Sequence, residues 1–283
     1  MRGGLSYTTN FTEFIAMQVF SRFCTFLLTV CVAGSACAAE PSLELDIGST
    51  QQLLTRTELL AKPEARAIDV PNDVAYHRSM HYQALPMSVL LHDMPADANV
   101  QFTATDGFVA NIPAKLLLGA GQPWLAIETD GQAWPPLKAD GPNAGPFYLV
   151  WLAPEKGHVS QEQWPYQIGK ISLVLPLESR YPQIQPDSKA ANVLRGLHVY
   201  TANCSSCHPI NGGGDAAVGP DLAVPHSPTE YFRRAYLRAL VRDPASVRNW
   251  SQRVMPSFST DVLSDTQLDD LLAYLKQMSK QRK

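Results

Sequence analysis

The sequence predicts a multidomain protein: a β-rich α+β N-terminal domain followed by an all-α C-terminal domain. Three observations predict it. Between residues 101 and 175, short apolar or alternating runs are separated by Asp-Gly and Gly-Pro turn signals. Toward the C-terminus, apolar positions instead recur at helical spacing, behind two capping boxes. Between the two regions, Pro176, Pro182 and Pro186, with Gln, Ser and Asp among them, mark a Pro-rich linker at 176–189.

Composition agrees with two ordinary domains. The chain has 283 residues, 45% hydrophobic and 17% charged, which excludes wholesale disorder, a coiled coil and a polytopic membrane protein. A net charge of −3 without a Lys/Arg run excludes a strongly basic nucleic-acid binder. Charge also divides near the linker: residues 39–186 hold 9 Lys+Arg against 16 Asp+Glu, and residues 187–283 hold 12 against 9.

Residues 1–39 read as an export signal. Arg22 precedes the apolar run 23–34, and Ala36-Cys37-Ala38 has the A-x-A form preferred at a cleavage site, with Glu40-Pro41 opening the mature chain. The stretch before Arg22 is long for a signal's basic region, so translation starting at Met17 is the alternative. A membrane anchor is the rival reading, but the run falls short of the roughly 20 residues that a spanning helix needs. Lipid attachment at Cys31 or Cys37 lacks its usual Leu-x-small-Cys context. The expectation is a periplasmic mature chain that does not span a membrane. Cleavage would remove Cys24, Cys31 and Cys37, leaving Cys204 and Cys207 of the five cysteines.

In the first domain, 40–175, strands are expected at 101–105, 108–112, 124–128, 147–152 and 168–175, with short helices at 53–61 and 86–91. His77 and His81 are four apart and would share a helix face, but no third ligand sits at zinc-site spacing. Trp124, Trp134, Trp151 and Trp164 read as core or interface aromatics. There is no G-x-S-x-G, phosphate loop or dinucleotide fingerprint.

The chemistry sits in the second domain, 190–283. Cys204-Ser205-Ser206-Cys207-His208 is C-x-x-C-H, the attachment signature of c-type haem. Two thiols separated by two residues reach the two vinyl groups on one porphyrin edge. A His directly after the second thiol can swing beneath the ring to the iron. A redox disulfide would sit in a βαβ pattern, and a zinc site would need two more nearby ligands; neither is present.

Helices flank the motif. Val193, Leu194, Leu197 and Tyr200 form one apolar face, on which Gly196 implies close packing. Ser227-Pro228-Thr229-Glu230 is a capping box that opens a helix with Phe232, Tyr236, Ala239 and Leu240 on its apolar side. Ser264-Asp265-Thr266-Gln267 opens a terminal helix striped by Leu268, Leu271, Leu272 and Leu275. For the sixth iron position, Met255 before Pro256 lies in an extended loop. His226, His198 or an open position are the alternatives, and Met278 reads as packing.

Residues 190–280 resemble the class I monohaem cytochromes c. The resemblance rests on Tyr200-Thr201-Ala202-Asn203 before the motif, Gly219-Pro220-Asp221-Leu222 after it, the Met255-Pro256 loop and the closing helix. It implies covalent haem c with His208 and Met255 as axial ligands, and a Pro220 carbonyl that fixes the His208 imidazole. It also implies a close crossing of the first and last helices at Gly196 and Tyr274. Trp250, Arg242 and Arg253 are candidate propionate contacts. The expected function is single-electron transport between periplasmic redox partner proteins, without nucleic acid.

Residues 75–175 resemble the molybdopterin-binding domain of the sulfite oxidase type. The likeness runs through 82–91, Asp106-Gly107-Phe108, Leu125-Ala126 with Asp130-Gly131, and Gly145-Pro146-Phe147-Tyr148. That family ligates molybdenum through a cysteine, and none occurs between residues 38 and 203. Phe147 and Tyr148 also stand where it has a basic residue. The resemblance therefore implies a docking module that has lost the cofactor. The alternative is an oxidoreductase whose first domain oxidises a small substrate, such as a sulfur oxyanion, and passes electrons to the haem. A haem-based redox sensor is a third class, and it requires Met255 to dissociate in one oxidation state.

Overall fold

Strands β1 (Ser42–Ile47), β2 (Thr50–Thr55), β3 (Arg66–Val70), β4 (Met80–Pro86), β5 (Asn99–Ala104), β6 (Val109–Pro113), β7 (Pro123–Ile127), β8 (Phe147–Trp151) and β9 (Ile168–Val174) form two sheets. The computed structural model describes residues 39–282 except Ser49, Asp93, Ala96, Ala217 and 249–253. The export-signal reading, with Met17, Cys24, Cys31 and Cys37, lies outside the described residues apart from its last position. No described helix is long and apolar enough to cross a membrane.

One sheet has the order β2-β1-β9-β5-β6, and the other β3-β4-β7-β8. All pairs are antiparallel except β1 with β9. In β5, Val100, Phe102 and Ala104 alternate inward, as a half-buried strand requires. The runs Pro123–Ile127 and Phe147–Trp151 are buried at every position, and so they read as continuous apolar stretches. The expected strands at 101–175 correspond to β5 through β9. The helix expected at 53–61 begins only at Arg56, where Thr55 and Glu58 form a capping box, and residues before it belong to β2.

His77 and His81 do not share a helix face. His81 lies in β4 and pairs with Asp69, while His77 sits in a turn at φ 52°. Among the described residues, no group of three or more His, Cys, Asp and Glu side chains is placed to hold a metal ion.

Residues Glu40–Lys283 form one unit, with two hydrophobic cores. The first fills the space between the sheets. The second is built by helices α1 (Ala191–Asn203), α2 (Arg234–Arg242) and α3 (Asp265–Met278). Segment 176–189 is folded rather than an open tether. It makes a helical turn at Leu177–Arg180 and a 3-10 turn at Pro182–Ile184, and Leu177 and Ile184 are buried in the second core. Pro176 precedes the first of these turns and Pro182 begins the second.

The helix expected to run on from Pro228 is broken. One turn, Pro228–Tyr231, ends at Phe232, and α2 restarts at Arg234. The break rotates the face, so Leu237 and Val241 are buried while Tyr236 is exposed. Helices α1 and α3 cross closely at Gly196: a Cβ there would fall 2.6 Å from the Tyr274 Cβ and would also strike the Asp270 backbone. Arg195 and Asp270 bracket this crossing with an ion pair at 2.7 Å.

Candidate functional site

The C-x-x-C-H motif begins where α1 ends. The Cys204 N–H donates to Tyr200 O (2.9 Å), and the next turn is closed by His208 N–H to Cys204 O (2.9 Å). Tyr200 Oη donates to His208 O (2.8 Å), tying the turn to the helix that precedes it. Tyr200 itself is held in the core against Tyr274, with ring centroids 5.6 Å apart. Tyr274 Oη in turn donates to Ile184 O (2.7 Å).

The His208 ring is oriented from the following loop. Its Nδ1 lies 2.8 Å from Pro220 O, which makes Nδ1 the protonated nitrogen and leaves the Nε2 lone pair as the one that could bind a metal. Gly219 provides the space: a Cβ there would fall 2.5 Å from Nδ1. Burial lowers the His208 pKa, against the opposing pull of Pro220 O and Asp221, which favours the neutral imidazole that a metal ligand requires. Cys204 and Cys207 are both free of disulfide. Burial, with Glu162 as an additional cause, raises the pKa of each thiol.

Cys207 lines a cavity of about 590 Å³. Val254 and Pro256, on either side of Met255, line the same cavity, and Met255 packs against the second core. The Met255 loop is pinned to α2. Arg242 Nη1 donates to Phe258 O (2.9 Å) and Leu263 O (2.5 Å), Arg242 Nη2 donates to Asp265 Oδ1 (2.9 Å), and Phe258 N–H donates to Val241 O (3.2 Å). Arg242 is thus engaged with this loop. Trp250 and Arg253 lie outside the described residues. His198 and His226 are exposed and are not among the residues lining the cavity. Met278 is fully buried in the second core.

These residues fit a covalently attached haem. Two unpaired thiols at the required spacing, an imidazole with one nitrogen held and the other available, and a cavity at the thiol edge occur together. Residues 193–279 match the family model Cytochrome c. The C-terminal region is a cytochrome c domain. Its cofactor is covalently bound haem c, which makes this a haem-containing electron-transfer protein that works with redox partners. A search of curated proteins finds no match to the chain.

Part of the wall of the cavity comes from the β-rich region. Phe108, Glu162, Trp164 and Tyr166 all line it, together with the cytochrome c domain's Cys207 and Val254. Sequence reasoning read Trp164 as a core or interface aromatic and assigned none of the four to the site. The only local signal is the Ser160-Gln161-Glu162-Gln163 capping box, which positions a turn but says nothing of what the turn faces. Asp215, also at the cavity, joins the two regions: Asn111 Nδ2 donates to it at 2.7 Å and Arg180 Nη2 at 2.8 Å. Burial pushes its carboxyl up, but the Arg180 and Asn111 hydrogen bonds outweigh burial and hold it below the usual range.

Proposed function

We propose that this protein is a periplasmic monohaem c-type cytochrome that carries single electrons between redox partner proteins, with His208 and Met255 as axial ligands. The observation that carries the reading is the shared cavity, lined by Cys207 of the attachment motif and by both neighbours of Met255. Bound haem c supplies a one-electron iron couple. The chain's own residues hold that couple fixed: Pro220 O orients His208, Gly219 leaves room for its ring, and Arg242 anchors the loop that offers the Met255 thioether. When haem c is bound, the Met255 thioether would favour the ferrous state and raise the potential, and His208 with Met255 would leave oxygen or peroxide no open site.

The periplasmic assignment rests on the 23–34 apolar run and the Ala36-Cys37-Ala38 site. The β-rich region, read as a molybdopterin-domain-like module without the ligating cysteine, serves as a docking module. Its acidic balance against the basic haem region predicts salt-sensitive encounters. Carbon monoxide binding tests the ligation. Ferrous protein should bind it slowly, and Met255→Ala should bind it at least tenfold faster while losing the methionine charge-transfer band of the ferric form. Rapid binding by the unaltered protein would overturn the carrier reading.

One observation favours a second reading, an oxidoreductase whose first domain feeds the haem. An aromatic series leads from Trp164 at the haem cavity through Tyr148 (6.2 Å) and Tyr82 (6.0 Å) to Trp134 (4.8 Å). Tyr82 and Trp134 line a second cavity, of about 400 Å³. Metal content separates the readings: iron without molybdenum supports the carrier, and stoichiometric molybdenum supports the enzyme.

A further inference from the structure

We propose that Glu162, contributed by the β-rich region, takes up a proton when the haem is reduced, so that electron transfer in this protein is proton-coupled; the inference rests on the electron-transfer reading above.

Glu162 sits in the 3-10 turn Gln161–Gln163, which is closed by a reciprocal cap between Ser160 and Gln163. Gln163 Nε2 donates to Ala202 O (3.2 Å), fixing this turn against α1 two residues before Cys204. The Glu162 side chain therefore has little freedom to leave the haem cavity that it lines with Cys207. Its Oε1 accepts from Ser160 Oγ. Among the described residues its Oε2 is buried without a hydrogen-bond partner, which is costly for a permanent carboxylate and tolerable for a group that spends part of its time protonated.

Among the described residues, the titratable groups around it are Cys204, Cys207, Asp106, Asp215 with its Arg180 partner, and Tyr166. The two cysteines cease to titrate once they are thioethers. Asp215 is held ionised by Arg180, Asn111 and Tyr181, and Asp106 caps its own turn through Phe108 N–H (3.0 Å). The Tyr166 phenol is pushed up by burial, away from neutrality. Burial pushes the Glu162 carboxyl up to about 7, with the Ser160 hydrogen bond as the main opposing influence. It is the acid of this set poised to change charge near neutral pH.

The coupling follows from Coulomb's law between the carboxylate and the iron. A carboxylate favours ferric over ferrous iron, so reduction raises its proton affinity. One electron arrives on the iron from a one-electron donor protein, one proton arrives on Glu162 from solvent, and both leave on oxidation. The midpoint potential must then fall as pH rises through the window in which Glu162 ionises.

The test is a spectroelectrochemical titration of the haem-loaded full chain, with an electrode as donor, from about pH 5 to about pH 9 around the Glu162 range. The unaltered protein should show a slope approaching about 59 mV per pH unit, a tenfold change in proton activity for one electron. Glu162→Gln should lose most of that slope and stay near the potential that the unaltered protein shows in acid. Ser160→Ala, which removes the hydrogen bond favouring the carboxylate, should move the sloping window to higher pH. Redox difference infrared spectra should show a protonated carboxyl band on reduction that Glu162→Gln lacks. A flat profile in the unaltered protein, or an unchanged slope in Glu162→Gln, overturns the inference while leaving the carrier reading intact. Absence of any reversible one-electron couple overturns both.

Discussion

Arg180 holds Asp215 by two parallel hydrogen bonds, Nη1 to Oδ1 at 2.5 Å and Nη2 to Oδ2 at 2.8 Å. Asp215 lies seven residues beyond His208 in the loop that follows the attachment motif, and Arg180 lies in the Pro-rich segment between the two regions. Gln101 and Asn111, from neighbouring strands β5 and β6, donate to the same Oδ2 at 3.2 and 2.7 Å. One carboxylate thereby ties the first sheet, the connecting segment and the haem-binding loop together.

Arg180→Ala should destabilise the protein at neutral pH by about 2–3 kcal/mol, as expected when a mostly buried carboxylate loses its cation but keeps neutral donors. Urea unfolding checks the magnitude. The folded-state pKa of Asp215 is depressed, so its contribution is present above the unfolded carboxylate range and is lost as pH falls through the lower folded value. The difference between the two proteins should therefore shrink in acid. A constant difference across pH would assign the effect to lost packing instead.

Gly219→Ala should disturb the haem more than the fold. The added methyl meets the His208 ring, 2.5 Å from Nδ1 and 2.8 Å from Nε2, and either the ring or the 219–220 backbone must shift. A displaced Pro220 carbonyl would also release the imidazole orientation. The expected result is a mixed-spin visible spectrum and weakened iron–histidine ligation, with a loss of stability within about 1–3 kcal/mol. An unchanged low-spin spectrum would show that the loop absorbs the methyl without moving the ligand.

Arg242→Ala should loosen the Met255 loop locally. It removes guanidinium hydrogen bonds to three backbone carbonyls (Phe258, Ser259 and Leu263) and to Asp265. At about 1 kcal/mol for each effective bond, the loop loses about 2 kcal/mol or more. The methionine charge-transfer band should then disappear at a denaturant concentration below that of global unfolding. If the two transitions still coincide, the loop is anchored by Phe258 packing rather than by Arg242.

Legibility followed the sequence span of each feature. The attachment motif and His208 need five consecutive residues, and Ser264 with Gln267 needs four; such patterns are set by local covalent reach and helix geometry. Strands β5 to β9 were legible because apolar runs were punctuated by turn signals. Strands β1 to β4 were not. Leu43-Glu44-Leu45-Asp46-Ile47 and Ala67-Ile68-Asp69-Val70 alternate correctly, but they are short and interleaved with acids. Their pairing, Leu43 with Leu54 and Ile68 with Tyr82, supplies what local propensity lacks. The helix expected from Pro228 broke at Phe232 because tertiary packing selected the Leu237–Val241 face over the one that periodicity indicated.

The sequence by itself determined the cofactor and its covalent attachment, because those depend on two thiols only a few bonds apart. Only the tertiary structure decided what surrounds the haem. Glu162, Trp164 and Tyr166 reach the cavity from a region whose local pattern codes for strands and turns, and a residue's burial against a distant partner is a property of the packed chain, not of its neighbours in sequence.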